Sequence, residues 1–147
     1  MPMKTQLIAG VFALVFVIVG CRRDEPYTVL KSLGGEISYE RLDDINDGPR
    51  VLTQVDTRTG VGKTIVIPGD VLWCDKRGSW IVGEKAASPR PAHWMDANWD
   101  RVGFFILDPS AINRDATSDD EMIGRAVKWI EAKEDFEKAV GALPLRN

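Results

Sequence analysis

From Leu7 to Val19 the chain is apolar at all thirteen positions, LIAGVFALVFVIV, and the six residues ahead of it carry one charge, Lys4. Wound as an α-helix, such a run reaches about 20 Å, short of the roughly 30 Å hydrocarbon core of a bilayer. A charged start, a short apolar run and a small residue behind it form the pattern of an export signal. An uncleaved membrane helix is the competing reading. Arg22 and Arg23 support it, because positive charge behind the run favours a cytoplasmic C-terminus, and Asp24 and Glu25 offset them.

Past Cys21 the apolar period shortens to two. Residues 22–35 begin as a tether, RRDEP, and pass into YTVLKSLGG, where Gly34-Gly35 marks a turn. Ile37, Tyr39 and Arg41 open an alternating segment that leads to the turn-rich Asp43–Pro49. Val51–Val55 is a second strand, Thr57–Gly60 a turn and Lys63–Ile67 a third strand, closed by Pro68-Gly69. Val71–Cys74 and Trp80–Val82 flank Asp75-Lys76-Arg77-Gly78, a hairpin signal. Val102–Leu107, VGFFIL, is the most apolar strand of this region. The spacings predict an antiparallel meander.

Behind Asp108-Pro109 the period lengthens. Ser118-Asp119-Asp120-Glu121 is a capping box with acidic residues in the first turn. Met122, Ile123, Ala126, Val127, Trp129 and Ile130 then form a helical face, continued by Phe136 and Val140 and ended by Gly141 and Pro144. The fold read from these patterns is α+β: an antiparallel β-meander packed by one C-terminal helix, after an N-terminal signal segment.

The end of the first apolar run, Ile18-Val19-Gly20-Cys21, resembles the lipobox of bacterial lipoprotein precursors: aliphatic, small or aliphatic, Gly or Ala, then Cys. The resemblance covers residues 1–21. It implies a diacylglyceryl group on the Cys21 thiol, cleavage before Cys21 by signal peptidase II, and acylation of the new amine. One acyl chain anchors marginally, while two or three give stable attachment. By the same resemblance, residues 1–20 are a lipoprotein signal peptide, 21–35 the lipidated Cys and its tether, and 36–147 a single domain. The hairpin, the strand Phe104–Asp108 and the closing helix also resemble small bacterial lipoproteins, a likeness that carries no activity with it.

Lys4 is the only charge ahead of Cys21, so loss of the leader moves the net charge from −3 to −4. A weakly acidic domain with no long basic run is a poor nucleic-acid binder. Gly60-Val61-Gly62-Lys63-Thr64 suggests a phosphate loop, but the position that must be Gly is Thr57, and strand-like IVIPGD follows where a helix is needed. The segment is therefore read as structural, with no nucleotide bound and no cofactor. His93 is the only histidine, which removes His-pair metal sites, and its loop context SPRPAHWMD carries no nucleophile motif. Asp43, Asp44 and Asp47 lack the calcium-loop spacing and read as a turn. Cys74, in VLWCD, is the only thiol left once Cys21 is lipidated, and it is expected to be buried.

These readings predict no catalytic residues. The leading expectation is a non-catalytic, membrane-anchored envelope lipoprotein that binds another envelope component. The alternative is an inhibitor or immunity-type protein blocking a toxic or lytic envelope enzyme. Arg22 after the Cys favours the outer membrane, facing the periplasm, in a Gram-negative cell. The long segment Ser88–Asp100 carries Trp94, Met95 and Trp99 and is the candidate partner contact, because Trp is enriched among residues that dominate binding energy. The competing role for both Trp is to fold back over one end of the sheet.

Overall fold

The computed structural model describes residues 27–34, 36–42, 49–55, 63–88 and 97–144. Among the described residues, eight antiparallel strands form two meanders joined end to end. The first sheet comprises β1 (Tyr27–Gly34), β2 (Ile37–Leu42), β3 (Arg50–Val55) and β4 (Lys63–Ile67), paired in that order. The second comprises β5 (Asp70–Arg77), β6 (Trp80–Ala86), β7 (Gly103–Leu107) and β8 (Val127–Ile130), again in chain order. A short helix, α1 (Asp119–Ile123), precedes β8, and α2 (Lys133–Gly141) closes the chain. The fold is α+β, an antiparallel meander with a C-terminal helix, as the periodicities predict. Among the described residues no helix is long and apolar enough to cross a membrane.

The main core lies between the sheets. Leu33, Ile37, Leu52 and Ile67 from the first meet Val71, Ile81, Phe105 and Leu107 from the second. The opposite face of the second sheet is also covered: Val82, Ile106 and Ile130 pack against Phe136 of α2. Phe136 stacks on Phe104 at 4.7 Å between ring centroids. A strand buried on both faces needs apolar residues at both parities, which is why VGFFIL reads as a continuous run.

Side chains mark the route of β5 across the first sheet. Arg50 of β3 pairs with Asp70 at 3.0 Å, and the Tyr39 hydroxyl of β2 donates to the Val71 carbonyl at 2.7 Å. The Lys31 ammonium of β1 reaches the Cys74 carbonyl at 3.4 Å and the Asp75 carboxylate at 3.1 Å. β5 therefore crosses β3, β2 and β1 in turn, and carbonyls on its outer edge are met by side chains rather than by another strand. The corner before it turns on Gly69, whose φ of 95° is open to glycine at no steric cost. A β-carbon there would also stand 2.6 Å from Cε of Lys85.

Two expectations are corrected. Residues 27–34, read as the end of a tether, form β1 and pair with β2. The single helix expected from Met122 through Val140 is broken: α1 stops at Ile123, and Val127–Ile130 pairs with β7 as β8. β-branched and aromatic residues at Val127, Trp129 and Ile130 suit a pleated strand, and β7 offers an edge whose hydrogen bonds they complete. The apolar face then divides. Ile123 and Ala126 enter the core between the sheets, while Ile130 and Phe136 join the cluster on the far side.

Candidate functional site

The described end of the Ser88–Asp100 segment folds inward. Ala97–Asp100 forms a 3-10 turn, and Trp99 within it is fully buried against Leu42, Val51 and Ile65 of the first sheet. Its indole Nε1 donates to the Ser88 carbonyl at 3.1 Å, so the side chain also ties the two ends of the segment together. A side chain with no exposed surface cannot dominate a protein contact. The expectation that Trp99 belongs to a partner surface is corrected to a core role, and the covering role weighed against it holds for this residue. Trp94 and Met95, with His93, lie outside the described residues, as do Cys21, Asp43–Asp47 and Gly60–Gly62.

Lys85 holds the turn in place. It lies on β6 at the same parity as Ile81 and Gly83, is 2% exposed, and donates to the carbonyls of Asn98 at 3.1 Å, Trp99 at 2.5 Å and Arg101 at 2.5 Å. Three ammonium protons thereby meet three main-chain acceptors, which offsets the cost of burying the charge. The period-two pattern of WIVGEKA points Lys85 inward, but lysine reads as solvent-facing by type, and that signal hides the site.

Beside this turn, Asn98, Arg101, Asp120, Ile123, Val127 and Trp129 line a cavity of about 310 Å³. The Asn98 amide bridges its two charges: Oδ1 accepts from Arg101 Nε at 3.1 Å, and Nδ2 donates to Asp120 at 3.0 Å. The Arg101 guanidinium lies 5.6 Å from the Trp129 ring centroid, a cation–π contact. A shallower groove of about 750 Å³ runs between β8 and α2, past Trp129, Glu131, Asp135 and Lys138. Among the described residues, no group of three or more His, Cys, Asp or Glu side chains is placed to hold a metal ion.

Cys74 is 7% exposed and unpaired, in the core between the sheets, as its strand context predicts. Burial pushes its thiol up to about 11, against the smaller opposing pull of Lys31. A neutral thiol is a weak nucleophile, so the chemistry of this residue is packing. Lys63 and Thr64, the end of the glycine-lysine motif, are residues of strand β4 and precede no helix. Ser118 caps α1, its hydroxyl accepting from the Glu121 backbone amide at 3.3 Å.

Compared with protein-family models, with curated proteins and with solved structures, the chain matches none.

Proposed function

We propose that this chain is a non-catalytic lipoprotein of the bacterial envelope, held on a membrane by lipid on Cys21, whose exported domain binds another envelope component. The observation that carries the reading is Ile18-Val19-Gly20-Cys21 at the end of a thirteen-residue apolar run. Three features join there: a run too short to span, a small residue at the cut, and a thiol placed to receive the lipid. Two buried groups that could carry chemistry are taken up by the fold, which favours a binding role over a catalytic one. Lys85 is engaged by the backbone and Cys74 is buried and neutral, so each serves the fold. The proposed contact keeps Trp94 and Met95 and no longer includes Trp99. In a Gram-negative cell, Arg22 behind the lipidated residue favours the outer membrane, with the domain in the periplasm.

Mass spectrometry of the mature chain tests the anchor. Wild type is expected to begin at a lipid-modified Cys21, and Cys21→Ala to stay unprocessed and unlabelled by radioactive fatty acid. A mature wild-type chain with an unmodified Cys21 overturns the anchor. A photo-crosslinker at position 94 in intact cells tests the binding role. One envelope component is expected as the adduct, and no adduct removes that role.

A further inference from the structure

The two sheets are bordered by β1 and β4 in the first and by β5 and β8 in the second. Three of these edges are irregular. β1 carries extra residues where its register with β2 shifts, between Val29 and Lys31 and between Ser32 and Gly34. β4 gains one opposite the step from Leu52 to Thr53, and β5 gains one between Val71 and Trp73. β5 is also closed by side chains, since Tyr39 and Lys31 donate to its Val71 and Cys74 carbonyls. A bulged or covered edge is a poor template for a further strand. Among the described edges β8 alone is regular: Val127–Ile130 pairs with β7 in unbroken register. Its shortness limits open-ended aggregation and leaves its backbone groups available.

The register fixes which way the backbone groups of β8 point. The Asp108 amide donates to the Ala126 carbonyl at 2.8 Å, so these two residues form a hydrogen-bonded pair. In an antiparallel ladder such pairs recur at every second residue. Lys128 and Ile130, opposite Ile106 and Phe104, therefore turn their amides and carbonyls to β7. Those of Val127 and Trp129 point outward. Among the described residues no hydrogen bond reaches these outward groups.

Both sides of this edge have room. Val127 and Trp129 line the cavity of about 310 Å³, on the face where Trp129 meets Phe105. Lys128 and Ile130 line the groove of about 750 Å³ beside α2, on the face where Ile130 joins Phe136. Side chains of a strand alternate between faces, so a strand laid along β8 sends them in turn to the cavity and to the groove. The charges lining the two spaces balance, Arg101, Lys128 and Lys138 against Asp120, Glu131 and Asp135. They give no net field to draw a charged partner, and the feature left to recognise is the main chain. A four-residue edge is about 13 Å long. Alone it offers far less than the roughly 1,200 Å² that a stable pair of folded chains buries, so it fits one extended segment rather than a second copy.

We infer that β8 takes an uncharged extended peptide as an added strand, held through the outward amides and carbonyls of Val127 and Trp129. The inference goes beyond the lipid-anchor reading and does not depend on it.

The test follows amide exchange by nuclear magnetic resonance in the full-length chain, held in dodecyl maltoside micelles. The probe is the uncharged hexapeptide acetyl-Thr-Val-Ser-Val-Thr-Ser-amide. Its fully N-methylated form, whose methyl groups block strand pairing, is the control. At saturating hexapeptide the amides of Val127 and Trp129 are expected to exchange more slowly by roughly threefold or more, while those of Lys128 and Ile130 stay as they were. The N-methylated form is expected to change none of them. Unaltered exchange at all four amides, up to the solubility limit of the hexapeptide, overturns the inference. Equal slowing by both peptides assigns the binding to the flanking cavities, and slowing at β1, β4 or β5 assigns it to another edge; either result overturns it too. Slow exchange at Val127 and Trp129 without peptide, quickening on dilution, gives the edge to a second copy of the chain and likewise overturns the proposal.

Discussion

Lys85 and Trp99 show how one turn is held by two unlike side chains. The lysine satisfies three carbonyls of residues 98–101, and the indole fills the cluster of Leu42, Val51 and Ile65. Removing a fully buried indole leaves a cavity as well as lost transfer energy. Trp99→Ala is expected to cost about 3–5 kcal/mol in urea denaturation, and an unchanged midpoint would place Trp99 outside the core. Cys74 makes a second prediction. Its ordinary value of 9.0 is raised to about 11 in the folded chain, chiefly by burial. Below pH 9 both states carry the neutral thiol and pH has no leverage through it. Between pH 9 and 11 the unfolded chain releases the proton first, so stability falls as pH rises. The denaturation midpoint of wild type is expected to drop across that window more than that of Cys74→Ala. Parallel curves would show that the thiol ionises equally in both states.

At the scale of elements, the Phe105 ring of β7 lies over Gly83 of β6 because Gly83 has no side chain. A β-carbon there would stand 2.5 Å from Cζ of Phe105 and 2.5 Å from the Trp73 carbonyl. The ring stands at the centre of the core and the carbonyl belongs to the paired strand β5, so neither can retreat cheaply. Gly83→Ala is expected to destabilise by about 1–3 kcal/mol, read as a lower thermal midpoint, whereas an unchanged midpoint would mean that the sheet relaxes at that point. The break between α1 and β8 belongs to this scale too. Ser118 starts the helix as its capping box predicts, and Glu121 reaches back to Thr117. The cap sets where α1 begins and has no influence on where it ends. The end comes where the Asp108 amide bonds the Ala126 carbonyl, at 2.8 Å, and the β7 edge takes the next four residues.

Across the whole molecule, each strand's position within its sheet determines how easily it opens. β6 and β7 have paired strands on both sides and are covered on both faces, whereas β1 and β8 each border one strand only. Amides of β6 and β7 are expected to exchange with solvent slowest and those of β1 fastest among the strands. Exchange followed by nuclear magnetic resonance checks this. Equal protection of β1 and β7 would mean that the molecule opens only globally.

Local order was legible wherever it is short-range. Alternation places Val51–Val55, Lys63–Ile67 and Val102–Leu107 as strands and Ser118 as a cap, because period and turn chemistry act over a few residues. The hairpin read at Asp75–Gly78 exists, but β5 runs on through Arg77 and the turn falls at Gly78-Ser79. The burial of Cys74 follows from the same alternation. Apolar spacing could not choose between helix and strand for Met122–Ile130, where short runs fit both periods, and the free edge of β7 decided it. Nor could the sequence show that Trp99 turns inward or that Lys85 is buried. Both depend on carbonyls and apolar surface supplied by residues that the chain brings together only when the two sheets close. The proposed leader ending at Cys21 is wholly a property of the sequence, since a signal peptidase reads a linear segment. The path of β5 is wholly tertiary: Lys31 and Cys74 lie more than forty residues apart and meet because β5 crosses back over β1.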